Sequence, residues 1–182
     1  MKNGINFNNL HLTKPNMAYM DSYRASIAQY RAHGVEDFAY PKVATKRGAA
    51  AYLQKMDNFR RGIDMPKGYV PSSGFWLVDG RHYLGSGDVR HYLNDSLRRF
   101  GGNIGYSVNP LFWRLGLGTL LLALLLNEAK HLHIAKPIIT CYDGNTASAK
   151  IIEKNGGVLL RKINNKIHGV DRLTRIYEIN LR

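Results

Sequence analysis

The stretch NPLFWRLGLGTLLLALLLNEAK, Asn109 to Lys130, constrains this chain more than any other. From Leu120 to Leu126 it is apolar nearly all round, so the helix it predicts lies in the core, covered on most sides. Asn109-Pro110 stops a short apolar strand just before it, NIGYSV, Asn103 to Val108. The helix itself begins near Gly116 to Thr119. A helix N-terminus leaves backbone N–H groups unpaired and carries the positive end of the macrodipole. Gly116 and Gly118 remove side chains there, and Arg114 adds a positive charge. Together they make a site for phosphate or pyrophosphate. It is not a Walker loop, because no Gly-Lys-Ser/Thr follows, and the third glycine of a dinucleotide fingerprint is missing. A plainer reading stays open, in which the glycines only permit tight strand-to-helix packing.

The rest of the chain supplies the frame. Met20 to Ala32 and Thr45 to Phe59 have helical apolar spacing, and Met65 to Gly74 is a Pro/Gly/Ser-rich loop. Phe75 to Val78, a DGR turn and His82 to Arg90 predict a hairpin. His91 to Gly102 reads as a short helix or a loop. Pro137 to Tyr142 is a continuous apolar run suited to a central buried strand. Asn145 and Thr146 cap a helix that Asn155, Gly156 and Gly157 end. Arg175 to Ile179 alternates, as a half-exposed strand does. The order from Phe75 onward is β-β-(short helix)-β-α-β-α-β-β, an α/β fold (α+β in some schemes) with a mixed sheet. At 182 residues the chain suits one domain, with a helical N-terminal part over 1–64 and the main core over 65–182.

Charge and cysteine usage narrow the function classes. The formal charge is +13, which serves nucleic acid, an anionic membrane or a polyanionic small molecule. The cations are dispersed, from Lys46-Arg47 and Arg60-Arg61 through Arg98-Arg99 to Arg161-Lys162, Arg172 and Arg175, so no basic tail forms and no nucleic-acid partner is expected. The single cysteine, Cys141, excludes an internal disulfide and a zinc–thiolate centre, and it reads as a buried core residue. No charged-then-apolar leader opens the sequence. The longest apolar run, Leu115 to Leu126, falls short of the roughly 20 residues a membrane span needs, so a cytoplasmic location without a membrane partner is expected.

The segment GGNIGYSVNPLFWRLGLGTLLLALLLNEAKHLHIAKPIITCYDGNTASAKIIEKNGG, Gly101 to Gly157, resembles the GCN5-related N-acetyltransferases, the GNAT superfamily, in a bacterial branch of predicted acetyltransferases. The likeness extends from about Met65 to the C-terminus. It implies a mixed central sheet in which two parallel strands splay apart, flanked by helices, with acetyl-CoA as cosubstrate and no metal. Carried across, the pyrophosphate loop is Arg114, Leu115, Gly116, Leu117, Gly118 and Thr119. The backbone of Tyr106, Ser107 and Val108 would pair with the pantetheine arm, and Asn145 and Ser148 would contact it from the next helix. The same resemblance implies direct acetyl transfer to a primary amine of a small molecule or peptide, with a homodimer common among relatives. Tyr106, His91 and Asp143 are the candidate proton-handling residues, with Asp88 and Tyr142 beside them. Two positions depart from the pattern. Trp113 stands where relatives carry Gln or Arg, and Ile152 stands where many carry a tyrosine that protonates the departing thiolate. Those departures keep a non-catalytic acyl-CoA-binding or sensor module in view as the alternative.

Overall fold

The computed structural model describes residues 4–35, 41–167 and 169–181. Among the described residues, seven strands and five α-helices follow one another as β1 (His11–Thr13), α1 (Met20–Ala32), α2 (Lys46–Arg61), β2 (Ser72–Val78), β3 (Tyr83–Arg90), α3 (Asp95–Arg99), β4 (Ile104–Val108), α4 (Leu117–His131), β5 (Ile138–Tyr142), α5 (Thr146–Lys154), β6 (Val158–Ile167) and β7 (Val170–Glu178). The fold is α/β, as the element order predicts. β1 is an addition: His11 to Thr13 pairs with Val78 to Trp76, in a region the sequence presents as helical or irregular. Three residues are too few to establish a period.

The strands form two sheets, ordered β1-β2-β3-β4 and β5-β7-β6, and every ladder in both is antiparallel. The splayed parallel pair expected within one mixed sheet is not among these ladders. The sheets meet where β4 and β5 begin. There the Asn103 N–H donates to the Ile138 carbonyl at 2.6 Å, and the Ile138 N–H donates to Asn103 Oδ1 at 2.9 Å. Beyond that point no ladder joins β4 to β5 among the described residues. β5 is therefore an edge strand rather than the expected central one. The centre of its sheet is β7, which explains why Ile176 and Tyr177 are both buried although strict alternation would expose one of them.

Helix α4 buries Leu117, Leu121, Leu122, Leu125, Leu126 and Ala129, the 3-4 spacing of a helical stripe. Fully burying a leucine is worth roughly 1.5–3 kcal/mol, so this stripe is a principal anchor of the fold. It lies on one face of the first sheet with Leu77, Leu84, Val89 and Ile104. The opposite face carries α1 and α2 through an aromatic cluster of Tyr23, Tyr30, Trp76 and Tyr83. Glycines on β3 let α4 approach closely: a Cβ at Gly87 would stand 2.3 Å from Leu125 Cδ1. No described helix is long and apolar enough to cross a membrane.

Candidate active site

The connection from β4 to α4 holds the most distinctive backbone in the molecule. Asn109 bonds the Leu111 N–H through its side chain and Pro110 opens a single 3-10 turn. Arg114 then takes φ +62° and Gly116 φ +80°. Gly116 is the N-cap of α4 and supplies no side-chain cap. The first backbone bonds of the helix run from Thr119 and Leu120 to the Gly116 carbonyl. Among the described residues, the N–H groups of Arg114, Leu115, Gly116, Leu117 and Gly118 have no acceptor. Five consecutive donors at a positive helix end form an anion cradle.

The two glycines do different jobs. A Cβ at Gly116 would meet nothing within 4 Å, so the space above it is open, and its positive φ favours glycine. A Cβ at Gly118 would stand 2.7 Å from Ile151 Cδ1 on α5. The packing explanation thus holds for Gly118, and the open cradle is centred on Gly116. Trp113 turns back from the loop: its indole N–H donates to the Val108 carbonyl at 2.8 Å, and its ring meets His33 edge-on at 5.5 Å.

β4 runs from the inter-sheet junction to this loop. Its ladder with β3, continued by Arg90 N–H to Asn103 and Asn109 N–H to Leu84, turns the backbone of Gly105 and Ser107 toward β3. Ser107 therefore cannot present its backbone to the opposite edge, contrary to the simple three-residue expectation. The N–H and carbonyl of Tyr106 and the N–H of Val108 face away from β3, toward the unladdered gap. The Tyr106 hydroxyl crosses that gap to Ser148 Oγ, 2.9 Å away on α5. Burial pushes the Tyr106 phenol up to about 12, with the Ser148 bond opposing. Asn145 accepts from the Ser148 N–H at 3.0 Å, which makes it the cap of α5.

The remaining candidates are scattered. His91 lies just past β3, its Nε2 3.0 Å from Ser73 Oγ; burial, then the charge of Arg60, lowers its pKa and keeps the ring neutral. Asp143 accepts from Lys162 Nζ and Arg175 Nε, each at 2.7 Å, and these bonds hold its carboxyl below the usual range. A carboxylate so committed is a poor proton acceptor. Tyr142 stacks on Phe100 and lies under the Arg172 guanidinium, lining with Asp143, Gly144, Asn145 and Leu173 a recess of about 420 Å³. Ile152 is fully buried in the core. Cys141 is buried as expected, and burial raises its thiol. Ser73 and Arg90, the partners of His91 and Asp88, carry no motif of their own; only the strand register reveals them.

A family model described as an acetyltransferase (GNAT) domain matches residues 9–158. Curated proteins gave no match. Among solved structures, an acetyltransferase from Salmonella typhimurium that modifies the N-terminal serine of ribosomal protein L7/L12 superposes with TM-score 0.67 at 14% identity, over 96% of each chain. The microcin C7 self-immunity acetyltransferase MccE, solved with acetyl-CoA and AMP, gives 0.69 at 17% identity over 96% of this chain and 93% of its own. The ribosomal-protein-S5-alanine acetyltransferase from Vibrio fischeri gives 0.68 at 16%, over 94% and 92%.

Proposed function

The chain belongs to the GNAT acetyltransferase family, and on that premise we propose that it transfers acetyl from acetyl-CoA to a primary amine, with a protein N-terminus as the favoured substrate class. The observation that carries this reading is the run of five unbonded N–H groups from Arg114 to Gly118 beneath the open space at Gly116. Its chemistry suits a pyrophosphate, and Arg114 adds charge beside it. A neighbour that modifies the N-terminal serine of ribosomal protein L7/L12 supports the acceptor class.

Acetyl-CoA, when bound, supplies an acyl group activated as a thioester. The chain's own groups then divide the work. The Arg114–Thr119 loop grips phosphate through backbone donors. The outward N–H and carbonyl of Tyr106 and the N–H of Val108 pair with amides of an extended arm, as an added strand would. Asn145 and Ser148 border the same gap from α5. The Tyr106 phenol, titrating at about 12, acts as a hydrogen-bond donor to sulfur rather than as an acid, because a thiol titrating near 8.5 does not draw its proton. His91, whose pKa is lowered by burial and then by Arg60, is bound beside Ser73, whereas Asp143 is a charge anchor.

Calorimetric titration with acetyl-CoA and CoA, using ATP and NAD as controls, tests the reading. Selective binding of the two CoA species is the expected result, and absence of both sinks it. The buried Ile152 supports a second reading, a non-catalytic acyl-CoA-binding module. That one requires tight binding with no thiol release in the presence of Ser-led or Ala-led peptides.

A further inference from the structure

One carboxylate on the first sheet keeps an oxygen to which no described residue donates. Asp88 on β3 is paired across the sheet with Gly74 on β2 and Gly105 on β4, so its side chain rises between two bare backbone positions on one face. Its two oxygens differ. Oδ2 lies 3.4 Å from Arg90 Nη2, while Arg90 is itself fixed by its Nη1 on the carbonyls of Gly101 and Gly102 at 2.9 and 3.1 Å. Oδ1 has no hydrogen-bond donor among the described residues and overhangs Gly105, where a Cβ would come within 2.9 Å of it and 3.4 Å of Arg90 Nη2. The side chain keeps 36% of its surface open. Gly105 immediately precedes Tyr106, whose backbone faces the gap.

From this geometry we infer that Asp88 is the general base for the acceptor, receiving a primary ammonium at Oδ1. This rests on the acetyltransferase reading and deepens it. The ammonium gives one proton to Oδ1. The freed nitrogen forms the N–C bond to the acetyl carbon as the C–S bond breaks, and the thiolate takes the nitrogen's second proton. Arg90 is the positioning residue: it holds Oδ2 and leaves Oδ1 to the amine. Burial raises the Asp88 carboxyl above its ordinary value and Arg90 opposes the rise. Among the described residues Arg90 is the one charged group against it; β2 and β4 present glycines, and α2 brings the Met56 sulfur over Gly74.

The test uses the full chain, acetyl-CoA and a Ser-led peptide, with D88N and D88E beside the wild type. D88N should bind acetyl-CoA normally and lose roughly 10²–10⁴-fold in kcat/KM, the usual worth of a general base. It should also lose the acidic limb of the wild-type pH profile, and D88E should restore part of both. Independently of turnover, the Asp88 carboxyl carbon should titrate by NMR above the ordinary aspartate value in the cofactor-free protein. Titration at or below that value overturns the assignment. So does an unchanged acidic limb in D88N, or acetyl-CoA binding by the wild type with no peptide-dependent thiol release. Failure of the wild type to bind acetyl-CoA is a different result, which removes the acetyltransferase reading itself.

Discussion

The Tyr106 hydroxyl and Ser148 Oγ lie 2.9 Å apart, one on β4 and the other on α5, and this bond spans a gap that no ladder closes. Tyr106→Phe should cost about 1 kcal/mol of stability, the net value of a neutral hydrogen bond, and leave the fold intact. It should lower kcat while leaving acetyl-CoA affinity nearly unchanged if the phenol serves sulfur during transfer. Equal losses in kcat and affinity would make the residue a cofactor contact only. Chemical denaturation and steady-state kinetics on the same preparation separate the two effects.

Gly116 and Gly118 should part company on substitution. Gly116→Glu puts bulk and negative charge into the open cradle, so acetyl-CoA affinity should fall more than about 100-fold, or about 2.7 kcal/mol. Gly118→Ala only displaces the end of the Ile151 side chain, and alanine favours the helix, so both Tm and affinity should change little. Calorimetry and thermal melts on both variants check the pair. The opposite pattern would move the phosphate site away from Gly116.

Leu125 is fully buried on α4 and fills the space above Gly87. Leu125→Ala should cost roughly 2–5 kcal/mol by lost burial and the cavity left behind. A urea midpoint within error of the wild type would mean that this helix is not the anchor proposed here.

Asp79 gives a pH signature to stability rather than to activity. Burial pushes its carboxyl up, but bonds from the His82 ring and from the N–H groups of His82, Arg81 and Asn6 outweigh that and bring it to about 2. A folded pKa below the unfolded one stabilises the protein above about pH 4, and the gain is lost as pH falls toward 2. The loss should be about 1–2 kcal/mol, and Asp79→Asn should flatten that part of the curve. Denaturant melts between pH 5 and 2 make the comparison; parallel curves for the two proteins would remove Asp79 from the account.

Local chemistry made part of the site legible in the chain. Gly116 with its positive φ, Arg114 and the leucine block announce a helix start with open backbone donors, because glycine freedom and helical period are properties of a few adjacent residues. The α4 stripe, the Asn145 cap and the burial of Cys141 were readable on the same grounds. Pairing between distant strands was not. Which of Tyr106, Ser107 and Val108 turns its backbone outward depends on the register of β3 against β4, and a shift of one residue would reverse it. The run Pro137 to Tyr142 suggested a central strand, yet β7 takes the centre of that sheet and leaves β5 beside an open gap. Asp88 and Asp143 look alike as letters. One stands between two glycines with a free oxygen, and the other is bound to two cations. That difference is made by strand pairing and packing rather than by the adjacent letters, so only the packed structure tells the two apart.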